Sequence, residues 1–171
     1  MAQHQRRIDR VLGPDYLNGL EGMSLEDVRA MEHECAEIET ELSYVRRLAQ
    51  GRIDIIEAET DRRAAGGSLG DLIAALPKIL ADDTPRPDPA STRFADPETP
   101  AAEIDFKRGL ERLVSDGTLA NLPSLSDVEL ATTLEQLRAL ELEVSENRTA
   151  LHSVMDRLTH TLAERLAVEK A

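Results

Sequence analysis

Two stretches of the chain place apolar residues seven apart, with a second apolar row offset from the first by three. In the earlier stretch Val28, Cys35, Leu42, Ala49 and Ile56 form one row, and Met31, Ile38 and Val45 form the other, which Arg52 interrupts. In the later stretch Leu130, Leu137, Val144, Leu151 and Leu158 form one row; Leu140 and Val154 sit in the other, where Thr133, Asn147 and Thr161 weaken it. A sustained seven-residue repeat is the seam of a coiled coil. The ends of both helices are legible as well. Ser24 with Asp27 three residues on makes a capping-box start, Gly66 and Gly67 stop the first helix, and Ser126 with Glu129 starts the second. About 40 residues rising ~1.5 Å each give a first helix of roughly 60 Å.

The remaining chain divides around these helices. Residues 1–23 read as an N-terminal arm, 24–66 as the first long helix, 67–82 as a short apolar helix with Pro77 as a break, and 83–103 as a proline-rich linker. Residues 104–123 read as a short amphipathic segment and 124–171 as the second long helix. The expected fold is all-α: an antiparallel two-helix coiled-coil hairpin with short accessory helices. Antiparallel pairing sets Leu42 against Val154, Val45 against Leu151 and Ile38 against Leu158. It also sets Ser43 opposite His152 and Gln50 opposite Ser145, with Arg46 and Arg148 near a local two-fold.

Composition supports helices over a sandwich or barrel, since aromatics are 2% of the chain, Trp is absent and 31% of residues are charged. The formal net charge of −13 argues against direct DNA binding, because phosphate contacts need a basic surface, and suits a basic partner protein. Cys35 is the single cysteine, which excludes an internal disulfide and a thiolate zinc cluster. No apolar run approaches the ~20 residues of a membrane span, and no apolar segment follows the basic N-terminal residues. A cytoplasmic protein without a membrane segment is the expectation.

Beside the seam a polar pattern occurs twice: Glu39, Ser43, Arg46, Gln50 and Asp54, then Glu141, Ser145, Arg148, His152 and Asp156. The copies differ only where His152 stands for Gln50. At ~100° per residue the five positions cover about 80° of the helix, so each copy is a strip. Arginine offers a planar donor fork for guanine O6 and N7 or for phosphate; aspartate accepts from the Watson–Crick edge of guanine; a Glu one turn away can hold an Arg in place. Both groups together suit a guanine nucleotide. Polar flanks of coiled coils are also commonly solvated, and the same strip then belongs to a ligand-independent adaptor or scaffold. Gly51, inside the strip, costs a helix ~1 kcal/mol and lets something approach the backbone.

The doubled pattern Glu-x3-Ser-x2-Arg-x3-Gln-x3-Asp resembles the signature of the actinobacterial cyclic-di-GMP-dependent anti-sigma factors, the RsiG-like family. "LSYVRRLAQGRIDII" and "SLGDLIAALPKILAD" are similar to that family too. The resemblance implies two cyclic-di-GMP molecules per hairpin, bound as an intercalated dimer, and a surface that sequesters a sigma factor of the flagellar and sporulation type. It assigns ligand binding to Glu39, Ser43, Arg46, Gln50, Asp54, Glu141, Ser145, Arg148 and Asp156; His152 departs from the pattern. His152, Asp156 and His160 share a face at a spacing that could hold a metal, but no second-helix histidine faces them, so no metal is expected. No phosphate loop, nucleophile elbow or acid–base pair is written in the chain, and no enzyme is expected.

Overall fold

The computed structural model describes residues 7–81 and 121–169, and among them all regular structure is helical. The proline-rich linker and nearly all of the amphipathic segment expected after it lie outside the described residues. The α-helices are α1 (Arg7–Val11), α2 (Leu25–Ala64), α3 (Leu69–Ile79) and α4 (Asp127–Glu169), with short 3₁₀ turns at Leu20–Gly22 and Leu122–Ser124. The chain forms two compact units. Among the described residues the first holds 7–43 and 144–169, and the second holds 44–81 and 121–143.

Three helix starts carry reciprocal caps, in which a serine hydroxyl accepts from the backbone N–H three residues on while that residue's carboxylate accepts from the serine backbone. Ser24 and Asp27 cap α2, Ser68 and Asp71 cap α3, and Ser126 and Glu129 cap α4. Beyond α2, Gly66 takes a φ of 69°, a left-handed turn that glycine enters without strain.

In the first unit Val28, Cys35 and Ile38 of α2 share a core with Leu151, Leu158 and Leu162 of α4. Glu39 meets Arg148, Glu32 meets Thr159, and the Leu20 and Met23 carbonyls accept from Arg165, so the α2 and α4 segments of this unit run in opposite directions. The residues before Ser24 are part of that core. Val11 is fully buried and Leu20 nearly so, while Arg7 and Arg10 of α1 pair with Glu34, Glu37 and Glu41. Cys35 is also fully buried, and burial, with Glu34 and Glu32 nearby, pushes its thiol pKa up against the Tyr16 hydrogen bond; it packs as a small apolar residue.

In the second unit Ile55, Ile56, Leu130 and Leu137 pack with Leu72 of α3 and Leu122. The inner face of α3, Leu72 with Leu76 and Ile79, is what docks it on the long helices, whereas Leu69, Ile73 and Leu80 are largely exposed. Pro77 does not break α3. It lies in the last turn, where its missing N–H removes one bond, and the Leu80 N–H still reaches the Leu76 carbonyl at 2.9 Å.

The second apolar row of α2 ends in charge. Arg52 is buried and donates to the Leu48 carbonyl at 3.2 Å. Seven residues on, Glu59 is fully buried and accepts from Arg62 at 2.6 and 2.7 Å and from Arg63 at 2.5 Å. Arg63 continues to the carbonyls of Leu122 and Leu125 and to Asp127, and Arg62 to the Gly67 carbonyl. One carboxylate thus anchors two guanidiniums that satisfy the backbone where α2 ends and α4 begins.

Candidate functional site

The ten polar positions divide between the units. Glu39, Ser43, Ser145, Arg148, His152 and Asp156 belong to the first, and Arg46, Gln50, Asp54 and Glu141 to the second. In the first unit Glu39 is the centre. Its Oε1 accepts from Arg148 Nη2 at 2.8 Å, from Arg148 Nε at 3.3 Å and from the Ser43 hydroxyl at 2.7 Å, and His152 Nε2 lies 3.6 Å away. The Glu39 side chain is only 13% exposed. Burial acts to raise its carboxyl pKa, but the Arg148 and Ser43 hydrogen bonds and the Arg148 and His152 charges prevail and hold it below the ordinary carboxylate range.

In the second unit Glu141 has the corresponding place. Its Oε1 accepts from Gln50 Nε2 at 3.2 Å and from Arg46 Nη1 at 3.4 Å. Each glutamate therefore receives the third and fourth positions of the other copy: Arg148 and His152 at Glu39, Arg46 and Gln50 at Glu141. This differs from a glutamate holding the arginine of its own helix. Glu39 and Arg46 are seven residues apart, two turns rather than one, so the cross-helix partner is nearer.

Asp54 and Asp156 are exposed, and desolvation together with Glu57 raises the Asp54 pKa. Asp156 also lines a cleft of about 790 Å³ in the first unit, together with Arg157, His160 and residues 17–21. The face carrying His152, Asp156 and His160 does not gather into a metal centre: His160 pairs with Glu164 at 3.2 Å, and no group of three or more His, Cys, Asp or Glu among the described residues could hold a metal ion.

Gly51 follows Gln50 on α2. A Cβ built there would lie 3.5 Å from Leu80 Cδ2, an ordinary contact, so the close neighbour of this glycine is the end of α3 and it leaves room for an alanine. Gly51→Ala should therefore raise stability by about 0.5–1 kcal/mol through helix propensity, read as a higher thermal midpoint by circular dichroism. A lowered midpoint would show that the site cannot take a methyl group.

A family model described as RsiG-like matches residues 14–80, from just after α1 to the end of α3. The similarity to that family covers this segment, less than half of the chain. The match contains the whole first copy, Glu39 to Asp54, and supports assignment to the RsiG-like anti-sigma factor family that the motif residues suggested. The second copy lies outside the RsiG-like segment and stands on its own residues and contacts. No curated protein matches the chain.

The reciprocal wiring of the RsiG-like motif was not evident from one helix at a time. The expected antiparallel pairing did not contain it either: with Leu42 against Val154 it sets Arg46 level with Ala150 and Arg148 level with Leu48, nine residues from Glu141 and Glu39, whereas the structure brings Arg148 to Glu39 and Arg46 to Glu141. Glu59 was missed although it continues the row of Ile38, Val45 and Arg52 by the same count of seven.

Proposed function

We propose that this protein is a cyclic-di-GMP-binding anti-sigma factor, in which α2 and α4 form an antiparallel coiled-coil hairpin and ligand loading creates the surface that sequesters a flagellar or sporulation-type sigma factor. Its work is then in the cytoplasm, with repression of that factor's transcription programme as the outcome. The observation that carries this reading is the doubled motif: its first copy falls inside the RsiG-like match, and its second repeats both the spacing and the arginine-to-glutamate contacts. Arginine forks supply donors for guanine O6 and N7 or for phosphate oxygens, and the exposed Asp54 and Asp156 supply acceptors for the guanine N–H edge.

The pairing of Arg46 and Arg148 within the protein also supports a second reading, in which the strip is a set of interhelical ion pairs in a ligand-independent adaptor. Isothermal titration with cyclic-di-GMP separates the two. Two molecules should bind per hairpin, and co-purification of the sigma factor should strengthen with ligand, as linkage requires. Zero stoichiometry at micromolar protein, with partner capture equal in both conditions, would establish the adaptor.

A further inference from the structure

The two glutamate clusters share one wiring and differ in one group. At Glu141 the fourth-position group is the Gln50 amide, which donates to the carboxylate and has no charge at any pH; at Glu39 it is the His152 imidazole, whose Nε2 lies 3.6 Å from the carboxylate. We propose that Glu39 and Glu141 are positioning residues, each holding the arginine of the opposite copy, and that His152, beside Glu39, makes that cluster the pH-responsive one. The proposal deepens the cyclic-di-GMP reading and rests on it for its ligand arm.

The charged groups that face His152 are Glu39 from α2 and, on its own helix, Arg148 and Asp156 one turn to either side. The α1 arginines Arg7 and Arg10 are engaged elsewhere, with Glu34, Glu37 and Glu41. With a neutral imidazole, Glu39, Arg148 and Asp156 leave this cluster one negative charge. An imidazolium cancels it. The corresponding set of Glu141, Arg46 and Asp54 is negative by one charge on either side of neutrality. Protonation therefore lowers repulsion toward an anionic, phosphate-bearing ligand while Glu39 keeps the Arg148 fork in place. The His152 side chain is 48% exposed.

The test titrates cyclic-di-GMP into wild type, His152→Gln and Glu39→Gln at pH 8 and pH 6, and follows the Arg148 Nε–H signal by NMR in the ligand-free proteins. Wild-type affinity should rise about fivefold at the lower pH, and His152→Gln should show no such rise. Glu39→Gln should weaken binding about tenfold at pH 8 and speed Arg148 Nε–H exchange severalfold, because the guanidinium loses its charged acceptor. A wild-type pH slope that persists in His152→Gln overturns the role of His152. Unchanged Arg148 exchange in Glu39→Gln overturns the positioning role even where ligand binds. If none of the three proteins binds cyclic-di-GMP, the ligand arm falls, and the NMR arm still decides whether Glu39 holds Arg148.

Discussion

Glu59→Gln should lower stability by about 3 kcal/mol at neutral pH, the scale of removing one partner from a buried charge pair, and the thermal midpoint by roughly 10 °C. The substitution keeps the shape and removes the charge. Arg62 and Arg63, whose side chains are 19% and 21% exposed, would keep their backbone acceptors and lose the carboxylate between them. Glu59 is held at a pKa of about 2, first by the Arg62 hydrogen bonds, against the opposing effect of burial, and then by Arg63 and both charges. Because the folded value lies below the ordinary 4.5, its stabilisation is complete above about pH 4.5 and is lost as pH falls toward 2. Thermal melts of wild type and variant should therefore differ most near pH 7 and converge below pH 3. Equal midpoints at pH 7 would show that the arginines are satisfied by the carbonyls of Leu122, Leu125 and Gly67 alone.

That network marks where the sequence stops being legible. The apolar rows name the buried residues well: Val28, Cys35, Ala49, Ile56, Leu130, Leu137, Val144, Leu151 and Leu158 are all buried, because a seven-residue repeat fixes which stripe leaves water. The caps are legible for a similar reason, since a serine and an acid three residues apart serve only their own helix end. Tertiary substitutions are harder to read. Arg52 and Glu59 occupy the same row as Ile38 and Val45, and their partners, the Leu48 carbonyl for one and Arg62 and Arg63 for the other, lie three or four residues away on the same helix; such a spacing is common on solvated surfaces and does not show that these groups leave water. Val11 and Leu20 were equally hidden, because the short elements that carry them are too brief for periodicity to register. The polar strip itself could be read position by position, but its partners could not: a spacing shows that Glu39 and Arg46 share a side of α2, whereas the hydrogen bonds show that Glu39 serves Arg148.

Arg148→Ala and Arg46→Ala should each reduce cyclic-di-GMP affinity at least a hundredfold. One fork contributes ~1–3 kcal/mol to a guanine or phosphate, and loss of one member of a stacked ligand pair removes part of the other's contacts as well. Their effects on stability should differ. Arg148 makes two bonds to a Glu39 that is 13% exposed, so its removal leaves a largely buried carboxylate with Ser43 and His152 and costs about 1–3 kcal/mol. Arg46, 34% exposed and 3.4 Å from Glu141, should cost less than about 1 kcal/mol. Circular dichroism melts and calorimetry on both variants separate the two effects. Arg46→Ala is the sharper case, since a variant with near-normal stability and lost binding assigns the loss to recognition. Near-normal affinity in Arg46→Ala would mean that this guanidinium serves only Glu141, and would return the second unit's strip to the ion-pair reading.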